Sequence, residues 1–175
     1  MRKAMNKQLD FIFRRRSVRL FTDQPVSDGH ITDMLQAGMS APSARARDPW
    51  RFVVTRQRRD LDAMRTILPY GAMVKDAAAA FLVCGDITQA HEQLESFMLQ
   101  DVSACVENML LAASALGLGA CWLGVHPRRE RIEGLRDYFK LPEHIVPVAG
   151  IAVGHPATVP EKRTRYRQES VLINR

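Results

Sequence analysis

Residues 101–124 read DVSACVENMLLAASALGLGACWLG, and this stretch decides the fold. Val102, Val106, Met109, Ala113 and Leu116 recur at three- and four-residue spacing, and Cys105, Leu110 and Leu111 widen the apolar arc. So broad a stripe predicts a helix over residues 94–118 that is buried on nearly every side. Gly117-Leu118-Gly119 ends it, because glycine adopts the left-handed conformation of a helix C-cap without a Cβ clash. A strand over residues 120–125 follows at once, so a buried helix feeds a strand with almost no linker.

Working outward, Ile132, Leu135 and Phe139 give a short helix opened by Pro127 and stopped by Leu141-Pro142, and residues 146–153 form the last clear strand. On the N-terminal side, residues 78–84 and 51–55 read as strands. Leu61, Met64, Ile67 and Leu68 mark an amphipathic helix between them. Ser27 caps a helix whose Ile31, Met34, Leu35 and Gly38 share one face, and Ala41-Pro42-Ser43 ends it. Met5, Leu9, Ile12 and Phe13 predict a first helix over residues 5–16 with one apolar stripe turned inward. Strands separated by helices imply a layered α+β or α/β domain with helices covering a central sheet. Beyond Pro156 no period survives, and the basic tail is expected to lie over a surface or another subunit.

The chain has 175 residues, enough for one domain with a full core, so residues 1–175 are read as a single unit. A composition 46% hydrophobic and 25% charged excludes wholesale disorder. The formal net charge of +6 favours an anionic partner without choosing among nucleic acid, membrane surface, cofactor and substrate. Cys84, Cys105 and Cys121 sit in apolar surroundings and are odd in number, which fits buried thiols in a reducing compartment. With no apolar leader and no uncharged run comfortably long enough to span a bilayer, a cytoplasmic protein with no membrane partner is expected.

The generic chemistries find little support. Gly117-Leu118-Gly119 follows a helix rather than a strand, so it is not a dinucleotide or P-loop. His30, His91, His126, His144 and His155 lack metal-ligand spacing, and no metal is expected. No serine lies in a nucleophile elbow. Few aromatics accompany the basic residues, which leaves nucleic-acid binding unmotivated.

Other short stretches carry more. Arg15-Arg16-Ser17-Val18-Arg19 is followed by Phe21 and Pro25-Val26, and Ala41-Pro42-Ser43-Ala44 by Pro49-Trp50-Arg51-Phe52. Residues 101–124 come next, then residues 147–156, PVAGIAVGHP, and Arg163-Thr164-Arg165-Tyr166. Together these five stretches, in this order, resemble the nitroreductase family over nearly the whole chain.

The resemblance implies a mostly antiparallel central sheet covered by helices, and a homodimer whose C-terminal tail, residues 158–175, extends over the partner. It also implies FMN as cofactor, with NAD(P)H as electron donor. Arg15, Arg16, Ser17 and Arg165 match positions for the FMN phosphate, a dianion that guanidinium groups bind bidentately, and the tail would bring Arg163 to the flavin with Arg165. Arg19 would lie by the pyrimidine end of the flavin, where a fixed cation stabilises charge that develops on reduction. Leu123 and Gly124 match the strand that passes the ring, while Pro42, Ser43 and Ala44 match contacts to the partner subunit's flavin. The segment from Tyr70 to Phe97 would line the substrate mouth. Chemistry would reside in the flavin, with no protein nucleophile, and electrons would pass to a nitroaromatic, quinone or similar small acceptor by a ping-pong sequence.

Two positions depart from the family pattern. Ala46 and Asp48 stand where amides are common ahead of Pro49-Trp50, which removes donors and adds a carboxylate near the flavin's polar edge. Arg45 and Arg47 add charge to the same loop, for an anionic substrate, for NADPH or for pairing with Asp48. The competing readings are a non-catalytic flavin carrier and a family branch with another acceptor, through dehalogenation or flavin fragmentation.

Overall fold

The computed structural model describes residues 6–172. Four strands, β1 (Trp50–Thr55), β2 (Ala79–Asp86), β3 (Gly119–Gly124) and β4 (Ile145–Gly154), form one sheet in the order β1-β2-β4-β3. Every neighbouring pair is antiparallel. The helices are α1 (Asp10–Arg14), α2 (Asp28–Met39), α3 (Arg58–Ile67), α4 (Glu95–Ala115) and α5 (Arg129–Phe139).

The sheet separates two apolar layers. Phe81 and Val83 of β2 face a core shared with Met34 of α2 and with Val102, Cys105, Val106 and Met109 of α4. Leu82 and Cys84, one residue out of phase, face the other core with Leu61 and Met64 of α3 and Leu135 of α5. Successive side chains of a strand point to opposite faces, so helices on both sides bury all of β2. That is why residues 79–84 are a continuous apolar run rather than an alternation.

The central helix and its neighbours follow the sequence expectation closely. Between Asp101 and Ser114 of α4 no residue is fully exposed. Gly117, with φ of 75°, lies in the left-handed turn that leads into β3. Ser27 Oγ accepts from His30 N at 3.1 Å and caps α2. All three cysteines are buried free thiols.

Two local expectations are corrected. The first helix is only a 3₁₀ turn (Lys7–Leu9) and the short α1. Leu9, Phe11 and Ile12 stay exposed, because a helix of five residues turns only part of its surface to α4 and leaves the rest of its apolar side chains uncovered. Met5 lies outside the described residues. Pro127 does not open α5; it sits in a turn before Arg129, and the helix stops at Lys140, left-handed at φ 53°.

Candidate functional site

The site is built on the outer edge of β3. This strand has β4 on one side only, and the segment after α1 runs along its other side, with Ser17 paired to Ala120 in a parallel bridge. Val18 N donates to Ala120 O at 3.0 Å. In an antiparallel ladder, alternate residues turn both backbone groups away from the partner strand. Ala120, Trp122 and Gly124 therefore present N–H and C=O outward, and Gly124 O accepts from Arg131 at 2.8 Å.

A cleft of about 570 Å³ lies along this edge, lined by Arg19, by Cys121, Trp122, Leu123 and Gly124, by residues 68–73 after α3, and by Arg131. Arg19, Tyr70, Leu123 and Gly124, picked out separately in the sequence, are thus brought together. Arg15 and Ser17 approach the same place. Burial raises the Cys121 thiol pKa, while the charges of Arg19 and Arg15 and a hydrogen bond with Ser17 pull it down. Arg15 is also held by Glu107, Nε to Oε1 3.3 Å.

Arg16 points the other way. With Arg14 and Val18 it lines a smaller cavity under Pro156 and Val159, and its guanidinium donates to the Glu161 carbonyl. The tail returns to this point, where Arg163 N donates to Phe13 O at 3.2 Å. Arg16 and then Arg165 push the Arg163 pKa below the ordinary arginine value. The ion pairs among the described residues include none for these three guanidiniums, so the cluster is an uncompensated cation site.

Pro42, Ser43 and Ala44 lie in a separate loop and do not line this cleft. Ser43 Oγ donates to Asp48 Oδ1 and accepts from Asp48 N, so Asp48 is engaged by Ser43. Arg45, Ala46 and Asp48 are all left-handed, with φ of 56°, 52° and 49°. Such conformations persist in non-glycine residues only when the surroundings impose them. Asp101, buried on α4, does so in part, its Oδ1 accepting from Ala44 N at 2.9 Å. Phe97 is partly buried against His91, ring centroids 4.9 Å apart, and is not among the residues lining the cleft.

The sequence reading missed Arg131, Trp122 and Asp101. For Arg131 a signal existed: Arg128 and Arg129 precede it at the start of α5, where cations oppose the helix dipole.

Comparison with known proteins identifies the family. The nitroreductase family model matches residues 12–70 and 58–155. A provisionally named NADH dehydrogenase/NAD(P)H nitroreductase of Methanothermobacter thermautotrophicus is 41% identical over 167 residues, covering 95% of this chain and 86% of that protein. A protein with the same provisional name from Bacteroides thetaiotaomicron has a crystal structure that superposes with a TM-score of 0.90 at 40% identity, over 98% of this chain and 99% of that one. A provisionally named nitroreductase of Desulfovibrio desulfuricans, solved in complex with FMN, gives a TM-score of 0.84 at 36% identity, over 98% and 99% of the two chains. Agreement of sequence and of overall fold over almost the full length makes this chain an enzyme of the nitroreductase family.

Proposed function

We propose that the chain binds FMN along the outer edge of β3 and passes electrons from NAD(P)H to a small planar acceptor such as a nitroaromatic or quinone. The observation that carries this reading is the combination, on one strand edge, of outward backbone N–H groups with arginines from a neighbouring segment. When bound, FMN supplies the hydride and electron chemistry.

The residues present fit that cofactor. A phosphate dianion needs guanidinium groups: Arg15, with Ser17, brings one to the strand edge, and Arg163 and Arg165 beside Arg16, unpaired among the described residues, are carried by the tail on the other side of the same segment. Arg19 holds a cation in the cleft wall, placed to stabilise negative charge on a bound ring. The outward N–H groups of Trp122 and Gly124 supply donors. A Cβ built on Gly124 would meet nothing within 4 Å, so protein packing does not demand glycine there and the space is open to a ligand. Donor and acceptor occupy one cleft in turn. The second subunit contributes the loop of Pro42, Ser43 and Ala44, so the working unit is a homodimer.

The test is flavin stoichiometry after gel filtration. The wild type purifies yellow with about one FMN per subunit, whereas Arg15→Ala with Arg165→Ala loses it, since each charge-assisted bond contributes roughly 1.5–3 kcal/mol. Full occupancy of the double variant rejects this phosphate site. Steady-state kinetics give parallel double-reciprocal lines; intersecting lines reject the exchange in turn.

A further inference from the structure

We infer that Arg131 and Tyr70 form a subsite, at the end of the cleft remote from Ser17, for a reactant carrying an oxyanion beside a planar ring. This deepens the FMN reading and rests on it.

The register of β3 sets the distances. Ser17 lies beside Ala120, and Arg131 is bonded to Gly124, four residues further along the same edge. At the rise of an antiparallel strand this separates the two ends by roughly 14 Å. Arg15 and Ser17 stand at one end, and Arg131 at the other, against residues 68–73.

Arg131 is held but not neutralised. A guanidinium has five N–H donors; here one from Nη1 goes to Gly124 O and Nε is buried out of a ligand's reach, which leaves the other Nη1 donor and both of Nη2 without a protein partner among the described residues. The acceptor is a neutral carbonyl, and among the described residues no carboxylate pairs with Arg131 or lines the cleft. Tyr70 lies with its ring centroid 5.7 Å from the guanidinium carbon, yet remains 80% exposed. A fixed guanidinium with spare parallel donors matches a carboxylate or phosphate. An exposed aromatic ring beside it offers a stacking surface for the rest of a planar molecule. The oxyanion belongs either to the acceptor, as an aromatic carboxylate, or to the phosphates of the nicotinamide donor.

Trp122 lines the same cleft, so intrinsic fluorescence reports binding without turnover. Purified protein is titrated with benzoate and with benzamide, its uncharged counterpart. Arg131→Gln is expected to weaken benzoate at least tenfold more than benzamide, and Arg131→Lys, which keeps the charge, to restore part of the difference. Tyr70→Ala is expected to weaken both ligands together.

Turnover then separates the sources. If the acceptor carries the anion, Arg131→Gln lowers the kcat/KM ratio of 4-nitrobenzoate to 4-nitrobenzamide at least tenfold. If the donor does, the ratio of NADPH to 1-benzyl-1,4-dihydronicotinamide falls instead. Benzoate binding and both ratios unchanged within threefold overturn the subsite. Absence of flavin from the wild type would strike at the FMN reading itself, whereas an active wild type with unchanged ratios strikes only at Arg131.

Discussion

Gly124 and Gly119 look alike in the sequence but answer to different constraints. Nothing in the protein occupies the space a Gly124 Cβ would take, and its φ is not left-handed. Gly124→Ala should therefore leave the thermal midpoint nearly unchanged, within the roughly 0.5 kcal/mol of a neutral surface change. Flavin retention should fall about tenfold, or about 1.4 kcal/mol. Differential scanning fluorimetry beside flavin titration checks both halves, and equal retention would show that no ring approaches this backbone.

Titratable residues set a second expectation at the same scale. A hydrogen bond from Thr55 holds the Asp60 carboxyl below the ordinary carboxylate value against the opposing effect of burial, with Tyr138 and Arg59 assisting. Burial pushes Asp86 up, but bonds from Thr88 and the charge of Arg51, 2.9 Å away, outweigh it and leave its pKa lowered. A lowered folded pKa means stability that is present above the unfolded value near 3.8 and lost as pH falls through the folded one. Thermal midpoints should hold between pH 6 and 5 and drop below about pH 4. Asp86→Asn should lower the midpoint at pH 6 and flatten that decline. Buried Cys84 and Cys105, pushed up to about 12, should resist thiol reagents at pH 8 until the protein unfolds.

Among the elements, the contact between β3 and the segment after α1 is the one on which the site depends. A Cβ on Gly119 would fall 2.6 Å from Val18 Cγ1 and 2.8 Å from Val18 Cβ. The second of these atoms is next to the backbone and cannot swing aside. Gly119→Ala must therefore push the segment carrying Ser17 and Arg19 away from the strand edge. The expected cost is about 1–3 kcal/mol of stability, as for overpacked cores. FMN affinity should fall with it, and a variant of unchanged affinity would separate that segment from the cofactor. The opposite behaviour of Gly124→Ala makes the pair diagnostic.

For the whole molecule, exposed apolar side chains gather in two segments that meet, since Arg163 N bonds Phe13 O. Leu9, Phe11, Ile12 and Leu20 are exposed near the start, and Val159, Tyr166 and Leu172 in the tail. Apolar residues grouped in this way mark interaction surfaces. The proposed homodimer would cover them, and an obligate interface of this kind typically exceeds about 2,000 Å². Light scattering should give twice the chain mass. Ending the chain after residue 157 should weaken dimer and flavin together, because binding of each stabilises the other. An FMN-loaded monomer would refute the shared site.

Periodicity and turn chemistry were sufficient for the elements: the broad stripe of α4, the Ser27 cap, the glycine turn into β3 and the strand at residues 78–84 are all readable from neighbours a few residues apart. The family resemblance was equally legible, since its stretches are local and follow one another in order. Tertiary structure alone decided which arginines share a space. Alternation along residues 14–19 sends Arg16 to the tail side and Arg19 to the cleft, a division that three consecutive arginines do not reveal. It also decided that Asp101 holds Ala44 across 57 residues of sequence and that Arg131 closes on Gly124. The α1 stripe failed for the same reason: a helical period states which face is apolar, whereas burial requires a second surface that only the assembled fold can supply.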